Sequence, residues 1–206
     1  MIQVFRNARR DDLDQIYGIS LATGNGGQDA SHLYRDGRLI GHIYSAPYVV
    51  LNPQTTLVAE YEIGIAGYIV GTYDTAAFET RLERDWWPAL RDQYADPAGD
   101  PSGWMADERR SFAIHHPRTM WAEIVTAYPA QIHMNLMPRL QGQGVGSRLL
   151  EQWISEARQA GVRGIHLGVN ADNQSGLRFW SSRGFQRLIP PLILASEASV
   201  WLGRTL

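Results

Sequence analysis

The fold of this chain is best indicated by the stretch Gln141-Gly142-Gln143-Gly144-Val145-Gly146. An alternating apolar run from Ile132 to Met137 precedes it, and an amphipathic run from Val145 to Ala160 follows it. A strand, a glycine-rich loop and a helix N-terminus in this order form a cradle of backbone N–H groups that suits a pyrophosphate. Glycine is expected here because a Cβ would hold the phosphates away and because such loops use positive φ angles.

The composition is that of a globular protein and excludes several classes of function. The chain has 206 residues, is 44% hydrophobic and has a formal net charge of −2, which gives no electrostatic footprint for nucleic acid. It has no cysteine, which rules out disulfides, thiolate metal sites and a cysteine nucleophile. No apolar run approaches the roughly 20 residues that span a bilayer. We therefore expect a cytoplasmic protein that binds neither nucleic acid nor membrane.

The N-terminal half predicts a strand, a helix and a hairpin. The first strand surrounds Ile2 and Val4, and Asp11 is the expected N-cap of the helix that follows. Two short helices and two hairpin strands are then predicted: Ala30–Tyr34, Leu39–Tyr44, Thr56–Tyr61 and Ile65–Tyr73.

Residues 75–128 indicate a helical, aromatic-rich insertion. Helices are predicted over Ala76–Tyr94, Trp104–Ala113 and Arg118–Ala127, with a loop at Asp96–Pro101. The aromatic side chains either pack this segment onto the rest of the protein or line a groove for a substrate. We interpret residues 1–206 as a single domain that contains this insertion.

The C-terminal part predicts a strand–helix–strand unit with parallel strands. After the helix that begins at Val145, Gly161 is a natural C-terminal stop, and Ile165–Asn170 alternates as a strand. Asp172 or Asn173 then caps a helix that ends near Gly184. The closing strands are expected at Phe185–Leu188 and Ser199–Leu202.

Two other nucleotide-binding loops were weighed for the glycine-rich stretch. A dinucleotide fold places its glycines after the first strand, whereas Gly142, Gly144 and Gly146 lie two-thirds along the chain with a different spacing. A P-loop needs Gly-Lys-Ser/Thr, which is missing. A purely structural turn is the remaining alternative.

Two motifs together resemble the GNAT superfamily of N-acetyltransferases. The first is the Q-x-x-G-x-G loop; the second is Asn170-Ala171-Asp172-Asn173, Phe179-Trp180 and Arg183-Gly184-Phe185. The resemblance implies an α/β (α+β) fold: a mixed, mostly antiparallel sheet of about seven strands with a splayed central parallel pair, flanked by helices. It also implies acetyl-CoA as co-substrate and a direct transfer of the acetyl group to an amine.

The resemblance assigns a set of residues to the cofactor. The backbone of Leu136 and Met137 would pair with the pantetheine amides, and the N–H groups from Gly142 to Ser147 would hold the pyrophosphate. The full set is Leu136, Met137, Gln141, Gly142, Gln143, Gly144, Val145, Gly146, Ser147, Asn173, Phe179 and Trp180.

Shorter motifs over the rest of the chain are similar to one branch of this superfamily, the acetyltransferase-like C-terminal domain of O-GlcNAcases and its free-standing bacterial relatives. They are Asp29–Tyr34, Gly41–Tyr44, Ala46-Pro47-Tyr48, Leu51-Asn52-Pro53, Tyr94–Asp100 and Leu202–Leu206. Some members of that branch have degenerate cofactor loops, whereas this chain keeps an intact one.

The catalytic candidates are Asp74, Asn135 and Trp180. Trp180 occupies the position of the family's tyrosine acid, although an indole N–H is not a useful proton donor. Asp74 either reaches the cleft as a base or caps the next helix, and Asn135 can orient an amine or a water molecule. His133 has a suitable intrinsic pKa for a base, but we interpret it as a hydrogen-bonded structural histidine.

We therefore predict an acetyl-CoA-dependent N-acetyltransferase with a small-molecule or peptide amine as acceptor, and a homodimer is possible on this fold. No metal site is predicted, because His32 and His42 lack a recognised ligand spacing. The alternatives are a protein that binds acetyl-CoA or CoA with little catalysis, or a protein-interaction module.

Overall fold

The computed structural model describes residues 4–188 and 199–206. Ile2 of the predicted first strand lies outside this range. The helices and strands are, in chain order, β1 (Val4–Asn7), α1 (Leu13–Ala22), α2 (Leu39–Tyr44), α3 (Ala46–Leu51), β2 (Thr56–Tyr61), β3 (Gly64–Thr72), α4 (Thr75–Asp85), α5 (Trp87–Gln93), α6 (Ala106–His115), α7 (Ala122–Ala127), β4 (Ala130–Leu136), α8 (Val145–Gln159), β5 (Gly164–Asn170), α9 (Gln174–Ser181), β6 (Gln186–Arg187) and β7 (Ser199–Thr205).

The strands form one seven-stranded sheet in the order β1-β2-β3-β4-β5-β7-β6. Every neighbouring pair is antiparallel except β4 and β5, which are parallel. This confirms the predicted mixed sheet with a single central parallel pair. The crossover from β4 to β5 is α8, so the glycine loop lies at the C-terminal end of β4.

Helix α8 packs the central strands because its apolar side chains recur on one face. Val145, Leu149, Trp153 and Ala157 are spaced four apart and are each at most 1% exposed. Trp153 also donates its indole N–H to the carbonyl of Thr55, 2.9 Å away. These contacts fix the start of α8, and with it the loop, against the sheet.

The opposite face of the sheet carries a second cluster of buried side chains. It includes Ile16 of α1, Tyr48 of α3 and Phe78 of α4 with Tyr68 of β3. A third cluster joins Leu39 of α2 to Trp87, Leu90 and Ile114 in the helices of the insertion. The interpretation of residues 1–206 as a single domain stays a prediction.

The helix boundaries differ from the prediction at several places. The helix predicted over Ala76–Tyr94 is two helices, α4 and α5, because Pro88 has no N–H and its ring clashes with the carbonyl four residues earlier. Ala30–Tyr34 is a single turn closed by a bond from the Leu33 N–H to the Ala30 carbonyl. The six-residue helix α3 was not predicted.

The N-cap of α1 lies one residue after the predicted one, and the N-cap of α9 is one of the two residues predicted for it. Asp12, not Asp11, precedes α1, because a short 3₁₀ turn at Arg10–Asp12 comes first. Asn173, rather than Asp172, caps α9, and its side-chain oxygen accepts from the Gly176 N–H at 2.8 Å.

Gly71 of β3 and Gly18 of α1 should respond in opposite directions to the same substitution. A Cβ on Gly71 would lie 2.4 Å from the Gln131 carbonyl oxygen, whereas a Cβ on Gly18 meets nothing within 4 Å. Gly71→Ala should therefore lower the free energy of unfolding by about 2 to 3 kcal/mol. Gly18→Ala should raise it by roughly 0.5 to 1 kcal/mol, because alanine is the better helix former. Urea unfolding measures both; an unchanged midpoint for Gly71→Ala would contradict the close approach of β3 to β4.

Candidate active site

The glycine loop is held open by its backbone conformation. Gly142 and Gly144 both have φ of +74°, and a Cβ on either would meet nothing within 4 Å. Glycine is thus needed for the left-handed backbone and not to avoid a clash. Leu140, only 3% exposed, anchors the start of the loop in the core. The loop backbone is left facing solvent.

The glutamine side chains of the loop donate hydrogen bonds to backbone carbonyls next to the loop, and they do not cover the first N–H groups of α8. Gln141 donates to the Leu136 carbonyl at 3.2 Å, and Gln143 donates to the Arg139 carbonyl at 2.6 Å. The N–H groups in the first turn of a helix have no partner within that helix, and its N-terminus carries about half a positive charge. This end of α8 can therefore hold an anionic group.

Beside the loop, β4 and β5 separate. Their pairing consists of Ala130 with Ile165 and Gln131 with His166, so the rest of β4 has no strand on that side. The Met137 N–H donates to Ala66 on β3, 2.9 Å away, and backbone direction alternates along a strand. The backbone groups of Met134 and Leu136 consequently face the gap.

Because of this register, the two predicted pantetheine partners, Leu136 and Met137, differ in which of their backbone groups are free to bind a ligand. Met137 uses its N–H on Ala66 and its carbonyl on the Leu140 N–H, 2.9 Å away. Leu136 keeps its N–H toward the gap. The difference could not be seen in the sequence because it depends on the pairing of β4 with β3.

The wall of the gap on the α8 side is closely packed. A Cβ on Gly146 would lie 3.0 to 3.3 Å from side chains of Leu136, Phe179 and Met134. The Arg183 guanidinium stacks on the Phe179 ring at 3.8 Å and donates to the Ser147 hydroxyl. Strand β4 and helices α8 and α9 therefore meet at the first turn of α8.

Asn173 stands where the N-terminal part of the chain meets α9. Besides capping α9, its side chain lies 3.5 Å from the position of a Cβ on Gly27. The turn that contains Gly27 is closed by a two-residue bridge between Asn25 and Gln28. This turn and α9 thus approach each other closely.

Trp180 is part of the main core. It is 7% exposed and packs edge-on against Phe179 and Phe185, with ring centroids 5.0 and 5.1 Å away. Phe179 faces the first turn of α8, whereas its neighbour Trp180 points among core side chains.

The structure does not bring Asp74 together with Asn135. Asp74 caps α4 by accepting from the Ala77 N–H at 3.0 Å. It follows Tyr68, the residue opposite Asn135, by six positions, which is roughly 20 Å along a strand. Asn135 instead donates to the Thr23 hydroxyl at 2.5 Å, and its side-chain oxygen stays available to accept.

On the face of β4 away from α8, His133 lies between two tyrosines. Its ring centroid is 5.6 Å from those of both Tyr44 and Tyr48. Within the part of the chain that the structure describes, its ring nitrogens form no hydrogen bond. The interpretation of His133 as a hydrogen-bonded structural histidine stays a prediction. The alternation of side chains along the strand is the sequence signal that places His133 and Asn135 on the same face of the sheet.

His166 of β5 is a second histidine on this face. Its Nδ1 donates to the Tyr128 carbonyl at 2.7 Å, while Nε2 is buried with no partner among the described residues. Burial lowers the pKa of His166 to about 4. Burial, and then the nearby charge of His166, also lower the pKa of His133 to about 4. Both rings are consequently neutral near pH 7.

The family model described as "Acetyltransferase (GNAT) family" matches residues 19–185. The chain belongs to the GNAT acetyltransferase family. The gap between β4 and β5 beside the glycine loop is therefore the candidate active site of a GNAT acyltransferase, and the recognition of this superfamily in the sequence is confirmed.

Among known structures, one described as the crystal structure of SsHAT superimposes with a TM-score of 0.88 at 30% identity, covering 98% of this chain and 97% of that one. Protein O-GlcNAcase of Rattus norvegicus is 27% identical over 147 residues, which is 71% of this chain and 16% of the relative. The chain thus spans a small part of that relative. A Salmonella typhimurium structure of yncA with acetyl-CoA shares the fold, with a TM-score of 0.53 at 15% identity, 98% coverage of this chain and 92% of that one.

Two further features concern the described residues of this GNAT chain as a whole. None of their helices has the length and apolar character required to cross a membrane. Residues 4–188 and 199–206 also contain no group of three or more His, Asp or Glu side chains placed to hold a metal ion.

The two histidines should make the stability of the protein fall in mild acid. In the unfolded chain a histidine has a pKa of about 6.5, so the unfolded state binds more protons than the folded state between pH 6.5 and about 4. The free energy of unfolding should decrease through this window by up to about 1.4 kcal/mol per pH unit for each histidine. Urea unfolding at pH 7, 6 and 5 measures the slope.

His133→Gln should make this slope shallower, because the proton that His133 takes up on unfolding is removed. The exposed His32→Gln is the control for removal of a histidine as such. Equal slopes for wild type and His133→Gln would mean that His133 keeps an ordinary pKa in the folded protein.

Proposed function

We propose that this GNAT protein is an acetyl-CoA-dependent N-acetyltransferase that transfers the acetyl group directly to an amine while both substrates are bound. The observation that carries the proposal is the splayed end of β4 and β5 beside the glycine loop. A gap lined by unpaired backbone groups, next to a helix N-terminus, fits a chain of amides that ends in a pyrophosphate.

The residues of the gap fit each part of such a cofactor. The N–H groups from Gly142 to Ser147 would hold the pyrophosphate, and the backbone of Leu136 would pair with the pantetheine arm. Asn173 and Phe179 would lie alongside that arm. Arg183 and Arg204 line a pocket beside α8 together with Glu151, and the two guanidinium groups would meet the remaining negative charge of the cofactor.

The acceptor amine would approach from the opposite face of β4. Acetyl-CoA, when bound, supplies the thioester whose acetyl carbon takes the amine nitrogen and whose sulfur leaves. Asn135 would accept a hydrogen bond from the amine and orient it. His133 is neutral near pH 7, so its ring nitrogen can accept a hydrogen bond from the amine and help to orient it. Its lowered pKa makes it a weak base, and a water molecule at the site would carry away the proton released from nitrogen. For Asp74 we propose the capping of α4 as its role.

Trp180 is the observation that favours the alternative, a protein that binds acetyl-CoA or CoA with little turnover. An indole in the core cannot protonate a leaving thiolate. A thiolate is, however, a good leaving group, so a water molecule at the gap could supply this proton.

Acetyl-CoA binding should depend on Gly144 and not on Gly161. Both glycines have φ between +74° and +78° with open space around them, and they lie at the two ends of α8. Gly144→Glu places a negative charge where the pyrophosphate would lie, whereas Gly161→Glu carries the same backbone strain at the far end. In calorimetric titration, Gly144→Glu should weaken acetyl-CoA binding by at least about tenfold and Gly161→Glu should not.

Circular dichroism and urea unfolding of both variants check that they remain folded. Absence of acetyl-CoA binding to the wild-type protein would overturn the proposed function and favour an interaction module. An equal loss of binding in both variants would point to strain in α8, not to the loop.

The missing acid can be tested at Trp180 with two variants of similar size. Trp180→Tyr restores a phenol at the family's position, and Trp180→Phe makes nearly the same core cavity without the hydroxyl. If protonation of the thiolate limits the rate, Trp180→Tyr should turn over several-fold faster than Trp180→Phe in a thiol-release assay with an amine panel. Equal rates for the two variants would show that a proton donor at this position has no part in the reaction.

A further inference from the structure

Arg110 of α6 is a half-buried cation that, among the described residues, is held only by neutral groups. Its Nε donates to the Tyr34 hydroxyl at 3.0 Å and one terminal nitrogen donates to the Tyr44 hydroxyl at 2.9 Å. Its guanidinium carbon also lies 5.3 Å from the centre of the Tyr44 ring. No carboxylate of the described residues forms an ion pair with it.

An arrangement of this kind is incomplete without an anion. Removing a cation from water is costly unless a negative group accompanies it, and here the second terminal nitrogen has no partner among the described residues. Each tyrosine hydroxyl that accepts from Arg110 keeps its own O–H to donate. The three side chains are all partly accessible to solvent, so a ligand can reach them.

The cluster is next to the face from which the acceptor would approach. The Tyr44 ring centre lies 5.3 Å from the Arg110 guanidinium carbon and 5.6 Å from the His133 ring centre. The guanidinium carbon is thus within about 11 Å of the His133 ring. A molecule that places an amine at β4 can therefore reach Arg110 with a second group several bonds away.

From this geometry we infer that Arg110, Tyr34 and Tyr44 form the specificity site for the acceptor, and that the acceptor is an amine whose other end carries a carboxylate. This inference rests on the proposed function, because it needs the amine to be acetylated at β4. The planar guanidinium and two phenol donors together match the oxygens of a carboxylate, the group with which arginine forms its strongest hydrogen bonds.

The test compares acceptors of equal length. In 6-aminohexanoate the nitrogen and the carboxylate carbon are roughly 7 Å apart, and 6-aminohexanamide has the same chain without the charge. The wild-type protein should acetylate the carboxylate at least about tenfold more efficiently in kcat/KM, with the difference mainly in KM. The arm with 6-aminohexyl phosphate tells a carboxylate site from a phosphate site: preference for the phosphate would overturn the carboxylate assignment.

Arg110→Gln should bring the ratio of the two efficiencies close to one. Arg109→Gln, which changes the exposed neighbouring arginine, is the matched control and should keep the wild-type ratio. Tyr44→Phe should lower the ratio with Arg110 still in place. This variant tests the same inference if Arg110→Gln does not fold. An unchanged ratio in folded Arg110→Gln would overturn the inference.

Direct calorimetric titration of 6-aminohexanoate separates this inference from the proposed function. If the wild-type protein binds 6-aminohexanoate, Arg110→Gln does not, and no amine is acetylated, the anion site is supported and the proposed enzymatic activity is overturned. If the wild-type protein acetylates both acceptors with equal efficiency, the proposed enzymatic activity is supported and the anion site is overturned.

Discussion

The short pairing of β4 with β5 is the constraint on which the rest of this structure depends. After two residue pairs the strands separate, and beyond them the side of β4 that faces β5 has no strand partner among the described residues. Unpaired buried backbone groups cost about 1 to 3 kcal/mol each. Gln141 satisfies the Leu136 carbonyl from the loop. The Leu136 N–H faces the gap, where it can donate to a polar ligand.

The alternation of β4 also directs its side chains to two different faces of the sheet. Met134 and Leu136 point toward α8, where the packing around Gly146 leaves little room. His133 and Asn135 point toward α1 and the tyrosines of α2 and α3, and among the described residues the Asn135 side-chain oxygen and the His133 ring nitrogens have no hydrogen-bond partner. In the proposed function, a thioester in the gap would be approached by the amine from this second face.

Features set by local sequence were predictable, and those set by register or distant contact were not. The strand before the loop and helix α8 follow from apolar periodicity, and the glycines of the loop follow from the backbone they must adopt. The break between α4 and α5 was missed, although Pro88 alone is a sequence signal for it. In contrast, the internal bonds of Met137 depend on the register of β4, and Arg110 meets Tyr44 across 66 positions of sequence. Neither could be derived from spacing.

The energetic cost of these groups bears on whether the protein is a catalyst or only a binder. Burying Nε2 of His166 without a partner among the described residues, and holding Arg110 there without a carboxylate, lowers stability and adds nothing to a site that only binds a cofactor. Replacement by apolar side chains of similar size would cost little or would stabilise the core. Proteins tolerate such local conflicts mainly at functional sites. Because these groups lie on the acceptor face, not around the glycine loop, they favour a protein that receives a second substrate.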